Sequence, residues 1–100
     1  MRQIEKKMVE AIHQRKNFHR DNTSVEQDHD WAVATVKLFG NPIVRASYMK
    51  DEHGKETILF QPYVDVIREW PTPTTVSRLT ALGIRAYRRK DQVFINGHPV

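Results

Sequence analysis

One hundred residues, 39% hydrophobic and 28% charged, suffice for one domain spanning residues 1–100 with a modest core, and exclude wholesale disorder. The absence of cysteine excludes disulfides, zinc–thiolate sites and thiol nucleophiles, and no apolar run approaches the roughly 20 residues that span a bilayer. The whole net charge of +4 falls in residues 71–100, where Arg78, Arg85, Arg88, Arg89 and Lys90 face a single acid, Asp91; residues 1–70 hold eleven charges of each sign.

Residues 2–16 read as a helix, with Ile4, Met8, Ala11 and Ile12 on one apolar stripe and Glu5, Lys6, Lys7, Glu10, Gln14 and Arg15 toward water. The charged opening has no apolar segment of the signal-peptide kind. Residues 17–30 lose periodicity and are rich in Asn, Asp, Ser and Thr, which predicts a connecting loop with room for a short strand or turn around Val25. Trp31–Phe39 and Ile43–Met49 alternate like strands around Gly40-Asn41, a hairpin with Pro42 opening its second strand. Thr57–Phe60 predicts a third strand, continued through Tyr63–Ile67 past a bend at Pro62. Trp70, with its ring buried, closes this region. Thr72 as cap, Pro73 at the first helical position and Gly83 past the end then frame a helix. On it Val76, Leu79 and Leu82 face inward, and Ser77 and Arg78 away. Ile84–Arg88 and Gln92–Asn96 form a hairpin with the basic tip Arg89-Lys90-Asp91, ending in a short tail. The expected fold class is α+β: an antiparallel sheet of three to five strands with two helices, in the order α-β-β-β-α-β-β. The expected core comprises Ile4, Met8, Ile12, Trp31, Val33 or Val36, Leu38, Val44, Ile58, Phe60, Val64, Val66, Val76, Leu79, Leu82 and Ile95.

Gly40-Asn41-x-Ile43, Asn22-Thr23-x-Val25 and above all Trp70-x-Thr72-x-Thr74-Thr75-x-Ser77-Arg78-Leu79 resemble segments of a family of small bacteriophage and prophage accessory proteins. The last block is the specific one; the chain departs from it at Thr80, where an Asn is expected. The resemblance implies a phage accessory protein and carries over no catalytic residue; together with the absence of cysteine it leads to the host cytoplasm as the expected location.

Three readings of the basic C-terminal face stay open. It can bind DNA or RNA: Arg78, Arg85, Arg88, Arg89 and Lys90 would meet phosphates, Thr74 and Thr75 would add hydroxyls at a helix start, and Tyr87 or Phe94 would stack on a base. It can be a solvated edge that discourages sheet pairing. It can meet an acidic protein. The alternative function, an inhibitor of a host defence or transcription complex and so a route to host takeover, would use a mixed apolar and charged surface that can include the acidic loop. Arg78 is equally explained by a salt bridge to Asp65 or Glu69. No phosphate loop, nucleophile elbow or metalloprotease motif occurs, so a non-enzymatic protein without cofactor or metal is expected. The acidic residues Asp21, Glu26, Asp28 and Asp30 read as a solvated loop. Neither a membrane nor a membrane-bound partner is expected, and an exposed sheet edge would allow a homodimer.

Overall fold

The computed structural model describes residues 1–100 as three helices and two antiparallel sheets. Helix α1 (Gln3–His13) leads into β1 (Phe18–Arg20), β2 (Thr23–Gln27), β3 (Val33–Leu38), β4 (Asn41–Lys50) and β5 (Glu56–Pro62), paired in chain order as one five-stranded meander. Next come two helices, α2 (Val64–Glu69) and α3 (Pro73–Ala81). A second sheet of β6 (Ala86–Arg89), β7 (Gln92–Ile95) and β8 (His98–Pro99) ends the chain. The α+β class and the antiparallel meander agree with expectation; the element order does not.

The differences have local causes. Residues 17–30 hold the β1–β2 hairpin rather than a connecting loop; β1 is the element not anticipated, and the short strand expected around Val25 is β2. Its alternation (Thr23 and Val25 buried, Glu26 exposed) is masked in sequence by the polar residues that make its ends. The Asn17 side chain accepts from the Gln27 N–H at 2.7 Å, and the Asp28 carboxylate accepts from the Ala32 and Val33 N–H groups at 2.9 and 3.3 Å. Desolvation pushes the Asp28 pKa up, but these backbone donors and neighbouring His29 outweigh it, and it lies below the usual value. Residues 64–69 are helical, not a strand continuation: a short apolar run cannot distinguish the two periods, and burial of Ile67 decides it. The β3–β4 turn centres on Phe39-Gly40 (φ 53° and 80°), one residue earlier than expected, a two-residue turn with both centres left-handed. Pro42 is thus the second residue of β4, opposite Lys37, where a break in register absorbs its missing N–H. The tail becomes β8 because Asn96 and Gly97 (φ 52° and 82°) make a second such turn, returning the Val100 N–H to the Val93 carbonyl at 3.0 Å.

The core lies between the meander's inner face and the helices. Met8, Ile12, Val36, Leu38, Val44, Leu79 and Leu82 are buried as expected, with Ile58, Phe60, Val66, Val76 and Ile95 packed against them. Trp31 and Val64 are instead half-exposed and Ile4 only partly covered; of the alternatives Val33 and Val36, it is Val36 that enters the core. Trp31 sits before β3 in a left-handed turn (φ 55°), which lifts it off the sheet. The C-terminus of α1 docks through Tyr48, whose hydroxyl donates to the Ile12 carbonyl at 2.7 Å and accepts from Gln27 at 3.0 Å. The Arg15 guanidinium lies 4.4 Å above its ring. Burial pushes the Tyr48 pKa up, against the lowering effect of Gln27 and Arg15.

One polar cluster is sealed inside. Glu5, expected to face water, and Arg78, read either as a phosphate contact or as an internal salt-bridge partner of Asp65 or Glu69, are 4% and 3% exposed and form an ion pair at 2.8 Å; the internal salt bridge is present, but its acid is Glu5. Arg78 also donates to Thr23 Oγ1 at 3.0 Å and Asn22 Oδ1 at 3.3 Å, while the Ser77 hydroxyl donates to Glu5. Burial raises the Glu5 pKa, but bonds from Ser77 and Arg78 prevail and hold it below 4.5.

Removing one partner of a buried pair strands the other charge. Arg78→Ala is therefore expected to cost about 3 kcal/mol or more, read as a lowered urea midpoint. Because the folded pKa of Glu5 is depressed, the pair's contribution is complete above the unfolded value near 4.5 and is lost as pH falls through the folded value. Asp28 acts in the same direction, so the check is a comparison: Glu5→Gln should show a shallower decline of midpoint from neutral to acid pH than the unmodified protein.

Candidate nucleic-acid interface

The second sheet is launched by the end of α3. Thr72 caps the helix, its Oγ1 accepting from the Thr75 N–H at 3.2 Å, and Pro73 takes the first turn, as the sequence predicts. At the other end Gly83 (φ 87°) is left-handed, its N–H reaches the Thr80 carbonyl at 2.9 Å, and the Ile84 N–H reaches Leu79 at 3.1 Å. This closing motif satisfies the last carbonyls and turns the chain into β6. Lys90 and Asp91 (φ 49° and 64°) form the tight β6–β7 turn.

The side chains of this sheet divide by alternation. Ala86, Val93 and Ile95 face the core. The opposite face carries Tyr87 against Phe94, and Phe94 against Pro99. The two rings are parallel (3°) with centroids 5.0 Å apart, and Tyr87 is half-exposed. Arg85 and Arg89 lie on the same face at either side of Tyr87, and Lys90 comes next, in the turn. All three cations are exposed and form no ion pair. A groove of about 560 Å³ lined by Thr80, Ile84, Arg85 and Tyr87 runs beside the aromatic pair.

Of the residues singled out from the sequence, Arg85, Tyr87, Arg89 and Lys90 come together on this face. Arg78 does not: it is the buried partner of Glu5. Thr75 does not: it is fully buried, its hydroxyl donating to the Trp70 carbonyl at 2.9 Å. Thr74 is partly exposed in the first turn of α3. Arg88 is engaged on the other side of β6, where it donates to the Pro71 carbonyl at 2.7 Å and pairs with Asp91. No group of three or more His, Asp or Glu residues is assembled that could hold a metal ion.

A second aromatic site was not anticipated. Trp70, expected to be buried, is 52% exposed, and Phe39 is 73% exposed. They border an apolar pocket of about 150 Å³ floored by Leu38, Ile43 and Thr75. The Phe39-Gly40-Asn41 turn and the Trp70-x-Thr72 block, far apart in sequence, meet there. Its hydroxyls are already used: Thr72 and Thr75 bond each other at 3.0 Å. The sequence signal was present in the two motif blocks; the turn geometry that exposes Phe39 was not.

With the geometry of the chain in view, residues 1–99 match the family described as Kyanoviridae Gp96 protein. The chain belongs to this phage protein family. The phage affiliation implied by the resemblance is thereby established, for the chain as a whole rather than for the tryptophan–threonine block. Comparison with curated proteins found no match. Comparison with solved structures found none either. No helix is long and apolar enough to cross a membrane.

Both tryptophans are about half-exposed, so intrinsic fluorescence should peak at the red-shifted wavelength of hydrated indole and be quenched efficiently by acrylamide. A blue-shifted, protected emission would contradict the exposed position of Trp70.

Proposed function

We propose that this phage protein is a non-enzymatic accessory protein that binds single-stranded DNA or RNA on the outer face of the β6–β8 sheet. The observation that carries the reading is the Tyr87–Phe94 stack flanked by Arg85, Arg89 and Lys90, three cations without internal partners. One face of each ring is covered by the other, so a base would extend the stack from the open side of Tyr87, at the sheet edge. The guanidinium and ammonium groups would meet the adjoining phosphates. Aromatic platforms with basic borders suit single strands because unpaired bases offer their faces, each stacked base contributing about 1–3 kcal/mol.

The test is fluorescence anisotropy of labelled single- and double-stranded DNA and RNA over a salt series. Three phosphate contacts on a single strand predict a slope of about −2 in log K against log salt. Tyr87→Ala should weaken binding by about 1–3 kcal/mol, and Arg89→Ala/Lys90→Ala should both weaken it and flatten the slope. Absence of binding at low salt overturns the reading.

A second reading, an inhibitor that binds a host protein complex, is favoured by the Phe39–Trp70 pocket, which offers mainly apolar contact with both threonine hydroxyls already engaged. Under that reading Phe39→Ala/Trp70→Ala abolishes capture of a host protein by the tagged chain, whereas Arg89→Ala/Lys90→Ala does not.

A further inference from the structure

The two sheets present four outer edges, and three of them are guarded. β1 has three residues and β8 two, one of them Pro99. β6 has four and carries Arg88 and Arg89. Short strands, prolines and cations keep one sheet edge from pairing with another. β5 has none of these before its last residue. It is seven residues long, Glu56 to Pro62, contains no cation, and pairs with β4 without a break in register. No backbone hydrogen bond reaches it from any element but β4, so Glu56, Ile58 and Phe60 leave their N–H and C=O groups open along the outer side, and Pro62 its C=O.

We propose that β5 is the pairing edge of a two-fold dimer, its occupant β5 of a second copy of this chain, running antiparallel. A two-fold axis at Leu59, the midpoint of the strand, sets Leu59 opposite itself, Ile58 opposite the partner's Phe60, Thr57 opposite the partner's Gln61 and Glu56 opposite the partner's Pro62. No like charges meet, and the β-branched Ile58 faces an aromatic ring, a favourable cross-strand pair. Leu59 is 47% exposed in the single chain, and the pairing would cover it.

Charge complementarity favours a second copy over an arbitrary strand. Glu56 lies at one end of the edge, on the helix side, where its Oε1 pairs with Arg15 at 3.3 Å and its Oε2 stays open for the partner copy. At the other end a groove of about 290 Å³ beside Pro62 is lined by Phe60, Ile84, Arg85 and Ile95. The register centred on Leu59 brings the partner's Glu56 to the mouth of that groove, where Arg85 has no acidic partner of its own. Acid at one end and cation at the other are matched twice by a two-fold axis, as an isologous interface requires.

The experiment is sedimentation equilibrium of the full chain over a concentration series, without nucleic acid, so that its outcome is separate from the binding reading. The expected mass is twice the 11.8 kDa of one chain. Leu59→Lys places two ammonium groups against each other at the axis and should weaken dimerisation roughly tenfold or more. Glu56→Arg and Arg85→Glu should each weaken it, and the two together should restore it, with circular dichroism confirming that every variant keeps its fold. A monomer at all concentrations, a dimer indifferent to Leu59→Lys, or a charge swap that fails to restore association would each overturn the proposal.

Discussion

The buried Glu5–Arg78 pair is the constraint on which the remaining architecture depends. Two charges removed from water are tolerable only when their mutual attraction is joined by further hydrogen bonds. Here Thr23, Asn22 and Ser77 supply them. The cluster joins α1, the β1–β2 turn and α3, three elements that share no local sequence. It also explains why position 78 is arginine. Three donors in one planar fork meet three oxygens at different angles, which a lysine ammonium on a flexible stem cannot do. Asn22-Thr23 and Ser77-Arg78, conspicuous in the sequence as motif segments, thus hold the fold together.

Anchoring α3 also orients the second sheet. The helix ends in a left-handed glycine and passes directly into β6, so the orientation of that sheet is inherited from the ion pair. Arg88 adds a tether by bonding to Pro71, just before α3 begins. Subtracting Arg78 and Arg88 from the C-terminal cations leaves Arg85, Arg89 and Lys90. The charge excess read from composition is therefore concentrated on one face, beside two stacked rings.

Tight turns decide what the surface displays. Phe39, Lys90, Asp91 and Asn96 all take left-handed backbone without being glycine, each within a two-residue hairpin turn whose twist matches the flanking strands. Such conformations persist only where the surrounding ladder over-determines them. One result is that Phe39 projects from the rim of the meander beside Trp70, giving the molecule a second aromatic site separate from the first.

By itself the sequence determined the elements whose signals are local: the apolar stripe of α1, the alternating strands of the central meander, the Thr72–Pro73 start and Gly83 end of α3, and the basic hairpin. These arise from backbone periodicity, capping and turn chemistry, which act over a few residues. Tertiary structure decided the rest. It turned the polar stretch 17–30 into a hairpin because the partner strand β3 was present to pair with it, and made 64–69 helical because Ile67 had a core to enter. It drew Glu5 and Arg78 inward, against the polarity pattern of their helices, because each lies opposite the other. A charge's partner some seventy residues away leaves no trace in local spacing, and only the packed chain shows which cations are spent inside and which remain outside.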